Sequence, residues 1–284
     1  MRFEGKTIVV TGAGGGIGRQ LVLKLLGKGA SVAAVDINAA ALEDTRRQAG
    51  AEAEAGRITL HRADITDRAA VARLPKEIKA VHGRIDGLIN NAGVIQDFIP
   101  LADLQDSAIE RQMNINFYGM MNMTRAFIPY LAERGEACIG NVSSMGGFLP
   151  VPGQAVYGAS KAAVKIATEG LRMELSRTGI GVSLIIPGGV ETDIKKNSGL
   201  ENAEVSEAAK KSAGIKLTSL GKAADIILGG MERNKAKILI GTDCRIMDFL
   251  YRLMPLKAGE MISKVMSANH GGIFNRAEQL AARI

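Results

Sequence analysis

The sequence predicts an α/β fold: a doubly wound parallel sheet of about seven strands, with helices on both faces and a helical C-terminal extension. Three observations carry this. Short β-branched runs alternate with longer segments of helical spacing along most of the 284 residues. Such alternation implies parallel strands joined by right-handed crossover helices. A glycine-rich turn joins the first run to the first helical segment, and the other polar and glycine motifs fall where strands end. That edge is where open α/β sheets bind ligands.

The elements follow in order. Residues 6–10, K-T-I-V-V, are brief and apolar, as a buried strand should be. Residues 17–26 put Ile17, Leu21 and Leu25 on one helical face. A second strand spans 31–35 and an Ala-rich helix 39–48. A third strand at 57–61 precedes a helix over 68–81, and a fourth strand spans 85–89. One long helix covers 107–131, a fifth strand 137–142 and a second long helix 155–177. A sixth strand at 181–186 is followed by a helix over 222–233 and a seventh strand at 237–240. No solenoid repeat or low-complexity linker interrupts the chain. It reads as one domain over 1–284, with an irregular segment at 193–217 and an extension at 242–284.

Composition narrows the function classes. Hydrophobic residues make up 46% and charged residues 23%, a balance that excludes general disorder. Two cysteines, Cys138 and Cys244, cannot build a disulfide framework, so a reducing, cytoplasmic setting is expected. No apolar run reaches the roughly 20 residues of a spanning helix. The N-terminus lacks the long apolar stretch of a secretory leader. Lys and Arg number 36 against 29 Asp and Glu, a net charge of +7. The excess is uneven: residues 1–192 hold 21 basic and 19 acidic side chains, and residues 193–284 hold 15 and 10. A global nucleic-acid footprint is therefore not expected, and Trp is absent. His61, His82 and His270 have no metal-ligand spacing, so no metal is expected.

The glycine turn is T-G-A-G-G-G-I-G, residues 11–18. Its glycines let the backbone approach a diphosphate, and the following helix offers free N–H groups and the positive end of its dipole. Asp36 ends the second strand, 18 residues after Gly18. A carboxylate there accepts hydrogen bonds from adenosine ribose hydroxyls and repels a 2′-phosphate. No cation occupies 13–17 or the two positions after Asp36, and Arg19 is expected to face solvent. The charge logic favours NAD over NADP.

Six further motifs follow in order: A-D-I-T at 63–66, N-N-A-G at 90–93, N-x-x-G at 116–119, S-S-M-G-G at 143–147, Y-G-A-S-K at 157–161 and P-G-G-V-E-T at 187–192. Together with the glycine turn, this set resembles the short-chain dehydrogenase/reductase family over residues 6–240. The resemblance implies a Rossmann-type, nicotinamide-dependent oxidoreductase. It also implies a cofactor cradle of Gly12, Gly16, Ile17, Gly18, Asp36, Asp64, Ile65, Asn90, Ala92, Gly93, Tyr157, Lys161, Pro187, Gly188, Val190 and Thr192. Asn90 and Asn91 divide between holding strands and lining the cofactor, in an order the motif leaves open. Catalysis is assigned to Asn116, Ser144, Tyr157 and Lys161. Ser144 is chosen over Ser143 because it lies 13 residues before Tyr157, the spacing usual in the family.

The chemistry needs these residue types. Tyr157 and Lys161, four apart, share a helix face. A free phenol titrates near 10. Lowering it by about three units takes about 4 kcal/mol, which the Lys161 ammonium and an oxidised nicotinamide are expected to supply. Tyr157 is then general base for alcohol oxidation and general acid for carbonyl reduction. Ser144 would hold the reacting oxygen, and the family resemblance implies that Asn116 helps anchor a water path to Lys161.

Substrate contacts are expected from Ile95, Met145, Val151, Gln154, Gly189 and Ile194, with residues 193–217 as a lid. Few cations are among them, so the expected substrate is an uncharged, fairly apolar secondary alcohol or ketone. The long helices resemble those through which the family forms homodimers and homotetramers. The extension interleaves Arg245, Arg252, Lys257 and Lys264 with apolar residues. It is read as closing the cleft, packing on another subunit, or making peripheral membrane contact. The alternatives to this enzyme are a non-catalytic NAD-sensing protein, against which the intact Ser144, Tyr157 and Lys161 argue, and a membrane-surface lipid-, steroid- or retinoid-type dehydrogenase.

Overall fold

The computed structural model describes residues 1–191, 198 and 217–269, with side chains as far as Lys264. Its strands are β1 (Thr7–Thr11), β2 (Ser31–Asp36), β3 (Ile58–Arg62), β4 (Gly87–Asn90), β5 (Ala137–Val142), β6 (Ile180–Pro187) and β7 (Lys237–Ile240). All pair in parallel, in the order β3-β2-β1-β4-β5-β6-β7. Chain order reverses between β1 and β4, and the crevice above such a reversal is the ligand-binding position of this architecture.

The helices are α1 (Gly16–Gly27), α2 (Ala39–Ala49), α3 (Ala51–Glu54), α4 (Arg68–His82), α5 (Asp106–Met113), α6 (Met120–Ala132), α7 (Ala155–Glu174), α8 (Leu220–Glu232), α9 (Thr242–Leu253) and α10 (Pro255–Asn269). Side chains of β1 alternate between two cores, as strand geometry requires. Ile8 and Val10 join Leu21 and Leu25 of α1 and Ile227 and Leu228 of α8. Val9 joins Leu74 and Ile78 of α4 and Met123 and Phe127 of α6. Each such fully buried side chain contributes about 1.5–3 kcal/mol before entropy is counted. Because both faces of the sheet are covered, β1 and β4 are buried at every residue.

One expectation changes. The predicted single helix over 107–131 is divided: a π-helical stretch at Asn114–Gly119 separates α5 from α6. The tail folds as two helices that meet at Pro255, which sits at the first position of α10, where its missing N–H costs nothing. The predicted lid lies outside the described residues, except Ser198 and Leu217.

Candidate active site

The glycine turn is shaped by close approach. A Cβ at Gly12 would lie 2.9 Å from Cα of Ala92, and one at Gly18 would strike the Gly12 carbonyl. Gly16 has φ +51° and open space around its missing side chain. The N-terminus of α1 carries no side-chain cap and no acidic residue in its first turn. These features fit a diphosphate, which would take the free N–H groups.

Thr11 locks this turn to β4. Its Oγ1 accepts from the N–H groups of Asn91 and Ala92, both at 3.0 Å. Asn91 Nδ2 donates to the carbonyls of Thr11 and Gly12. Asn90 instead is 4% exposed and its Nδ2 donates to Thr124 and Asn141. The Asn90 amide nitrogen therefore ties β4 to β5 and α6.

At the ribose end, Asp36 Oδ2 accepts from Gly14 N–H and Oδ1 from Asn38 N–H, each at 2.9 Å. Arg19 does not face solvent. Its guanidinium donates to Thr45 Oγ1 at 3.0 Å and to the Gly14 carbonyl, lying across the turn. Thr45 comes from α2, which sequence-local reasoning does not bring to this place. Asp64 accepts from the N–H and hydroxyl of Thr66. Ile65 is buried, and Gly119 admits it: a Cβ there would be 2.6 Å from Ile65 Cδ1.

Ser144 and Tyr157 meet beyond the end of β5. The Ser144 hydroxyl stands near enough to the phenol to favour its ionised form, and it accepts from Gly146 N–H at 3.2 Å. Ser143 turns away and donates to the Lys161 carbonyl at 2.7 Å. Lys161 is 3% exposed, its Nζ 6.0 Å from the Tyr157 ring centroid and donating to the Val142 carbonyl at 3.2 Å. Burial lowers its titration to about 8. Burial likewise pushes the Tyr157 phenol above its ordinary value, against the opposing Ser144 hydroxyl. The expected lowering is thus not built into the chain alone. Phenol and ammonium are both desolvated, and each is driven toward its neutral form.

Asn116 is 1% exposed and its amide is spent. Oδ1 accepts from Val94 N–H at 2.8 Å, while Nδ2 donates to the Val94 carbonyl and Ser160 Oγ, both at 3.0 Å. Ser160, which sequence reasoning missed, also donates to the Tyr157 carbonyl at 2.7 Å. Asn116 therefore ties the loop after β4 to the first turns of α7. Gly93 lies between: a Cβ there would be 3.0 Å from Lys161 Nζ and 3.1 Å from Asn116 Oδ1.

The substrate candidates divide. Ile95 donates its N–H to Ser198 Oγ at 2.9 Å, and Val151 is half-buried. Met145 packs on the small cluster of Leu184, Ile186 and Cys244. Gln154 is 4% exposed, its Nε2 donating to the carbonyls of Gln96 and Asp97. Its amide nitrogen staples the loop after β4 to the start of α7. Thr192 and Ile194 lie outside the described residues.

A further residue was missed. Asp243, in the first turn of α9, accepts from Gly189 N–H at 2.6 Å through Oδ2. Its carboxylate fills the space beside Gly188 and Gly241. Gly188 N–H bonds Ile240, and Val190 bridges to Thr218, so β7 and α9 together hold residues 187–190. Pro187, Gly188, Gly189 and Val190 then border the crevice from the side opposite the glycine turn.

A model of the short chain dehydrogenase family matches residues 6–203. The putative oxidoreductase SadH of Mycobacterium tuberculosis is 34% identical over 257 residues, covering 89% of this chain and 92% of its own length. A short-chain dehydrogenase from Burkholderia cenocepacia in complex with NADP is 28% identical, with a TM-score of 0.76 over 92% of this chain and 99% of that one. A short-chain dehydrogenase/reductase from Burkholderia phymatum in complex with NAD is 26% identical, with a TM-score of 0.77 over 89% and 96%. The chain belongs to the short-chain dehydrogenase/reductase family of nicotinamide-dependent oxidoreductases.

Proposed function

We propose that the protein transfers a hydride between NAD(H) and an uncharged, fairly apolar secondary alcohol or ketone, with Tyr157 as the acid–base residue. The observation that carries this is the Tyr157 phenol beside the Ser144 hydroxyl, with the buried Lys161 Nζ 6.0 Å from its ring centroid. When bound, the nicotinamide accepts or donates the hydride and, oxidised, adds a positive charge beside the phenol. Below about pH 8 Lys161 is charged. It favours the phenolate, so Tyr157 takes the proton from an alcohol Oη-to-oxygen, or returns it to a carbonyl oxygen during reduction. The Ser144 hydroxyl holds the same reacting oxygen and keeps the phenol aimed at it. Asn116 acts through the backbone, holding Val94 and Ser160 so that Lys161 and Tyr157 keep their places.

The preference for NAD rests on Asp36, an anion at the ribose end of the cradle. Arg19 is engaged with neutral acceptors of the turn and α2. The whole chain serves as one domain, in which residues 193–217 act as a lid over the apolar substrate. Tyr118, Ile166 and Met173 are exposed on the π-helical stretch and α7, which supports homo-oligomers built through these helices in the cytoplasm.

The test is turnover on a panel of secondary alcohols and ketones, read by NADH absorbance. Tyr157→Phe is expected to lose at least about 100-fold in kcat, the ordinary contribution of a positioned acid–base group, while NADH binding by fluorescence survives. Near-normal turnover in that variant would overturn the assignment. A variant that binds cofactor normally beside a parent with no turnover on any substrate would favour an NAD-sensing role.

A further inference from the structure

The two C-terminal helices carry an apolar surface that no described residue covers. Ile246, Phe249 and Leu253 of α9 are spaced three and four residues apart and so form one stripe; they are 52%, 62% and 62% exposed. Met254 at the corner and Leu256 and Met261 on α10 are exposed as well. The other face of α9 is anchored. Cys244 is fully buried, the Tyr251 ring lies 5.7 Å from that of Phe148, and Asp248 pairs with Lys237. In α10, Ala258 is buried, and a Cβ at Gly259 would lie 3.4 Å from Pro150. Both helices therefore rest on residues 145–151, the segment that leaves Ser144 and leads to Tyr157.

The charges around the stripe have one dominant sign. Arg245, Arg252, Lys257 and Lys264 are exposed, and Glu260 is the exposed acid among the described residues of the two helices. Asp243 is turned inward to Gly189, and Asp248 pairs with Lys237 on one side and, at 3.4 Å, with the largely exposed Arg252 on the other. Arg245 and Arg252, seven apart, run beside the apolar stripe, so their stems can lie along it while their charged ends reach an anionic layer. A second copy docked on the same face about a two-fold axis would oppose cation to cation. Among the described residues, no helix is long and apolar enough to cross a membrane. An amphipathic element with these properties lies on a bilayer surface and does not span it.

We propose that α9 and α10 form a peripheral binding surface for anionic phospholipid bilayers, placed beside the segment that carries Ser144 to Tyr157. Its apolar stripe enters the headgroup boundary, and its cations hold the anionic headgroups. Docking in this way brings the substrate side of the crevice against the lipid phase, from which an apolar alcohol or ketone can enter without crossing water.

The experiment is cosedimentation of the full chain with vesicles of phosphatidylcholine containing phosphatidylglycerol, against vesicles of phosphatidylcholine alone, at low and high salt. The expected result is binding to the anionic vesicles, weakened by salt. Each cation near an anionic surface is worth about a fivefold change in partitioning. Arg245→Glu with Lys257→Glu should therefore reduce binding by at least about 25-fold. Phe249→Ser with Leu253→Ser should reduce it at both salt concentrations, with circular dichroism and NADH binding unchanged because both side chains already stand in solvent. Absence of low-salt binding, or undiminished binding in both double variants, overturns the proposal. So does sedimentation equilibrium in which the serine variant dissociates an oligomer while vesicle binding stays as in the parent, which assigns the face to a second copy. Binding is read without cofactor or substrate, so its outcome is independent of the hydride-transfer reading.

Discussion

Removing the Asp243 carboxylate should loosen the cofactor cradle from its far side. In Asp243→Ala, the Gly189 N–H loses a charge-assisted acceptor at 2.6 Å, and the space the carboxylate fills beside Gly188 and Gly241 is emptied. Hydrogen bonds to charged groups contribute about 1.5–3 kcal/mol. Asp243 is only half-buried, so the lower part of that range, about 1.5–2 kcal/mol, is the appropriate figure. That corresponds to about a 10- to 30-fold rise in KM for NAD. Asp243→Asn keeps an acceptor of the same shape and loses only the charge, so about a fivefold effect or less is expected. The assay is initial rate against NAD concentration at saturating substrate, with Tm measured on the same samples. A KM within twofold of the parent in the Ala variant would refute the reasoning. A lowered Tm with an unaltered KM would also refute it, because the carboxylate would then serve only the packing of α9.

Three other outcomes are expected. Asp36→Ala removes the anion that disfavours a 2′-phosphate, so the ratio of kcat/KM for NADP over NAD should rise by at least about tenfold; an unaltered ratio in steady-state kinetics would place selectivity elsewhere. Gly119→Ala puts a Cβ 2.6 Å from Ile65 Cδ1, and overpacking of this kind costs about 1–3 kcal/mol. Thermal scanning should show a loss of several degrees, and an unchanged Tm would show that Ile65 yields freely. His61 and His82 both bond Thr59 Oγ1 at 2.8 Å, and burial lowers both from their ordinary 6.5. For His61, Glu77 opposes this and His82 adds to it. As pH falls below about 6.5, the unfolded chain binds protons that the fold refuses, so stability must drop. A Tm that declines no faster in the parent than in a His61→Gln, His82→Gln variant over that range would contradict this.

The parts of the site legible in the sequence are those whose geometry is local. Tyr157 and Lys161 share a face because four residues make about one helical turn. Ser143 and Ser144 point apart because a strand alternates. The glycine turn declares itself by lying between the first strand and the first helix. The doubly wound sheet was equally readable, since fully buried parallel strands leave uninterrupted β-branched runs such as Ile8–Val10. The order of the motifs along the chain therefore already places them along one sheet edge.

What only the tertiary structure decided concerns partners far apart in the chain. Asn90 and Asn91 are adjacent, yet one ties strands and the other grips the turn; the choice depends on Thr124 and on Thr11, 34 and 80 residues away. Arg19 looked like a solvent cation until α2 brought Thr45 against it. Asp243 finds Gly189 across 54 residues, with no local pattern to announce it. The Asn114–Gly119 π-helical stretch lies where Asn116 reaches the Val94 backbone. The ordinary titration of Tyr157 could be stated from composition, but its direction of change could not. Lys161 argued for lowering, but burial, which no sequence spacing measures, raises it in the folded chain against the Ser144 hydroxyl. Residue type and spacing thus determined which chemistry the protein carries. Long-range packing determined which atoms are free to perform it, because a hydrogen bond or a desolvation penalty depends on distance in space and not on position along the chain.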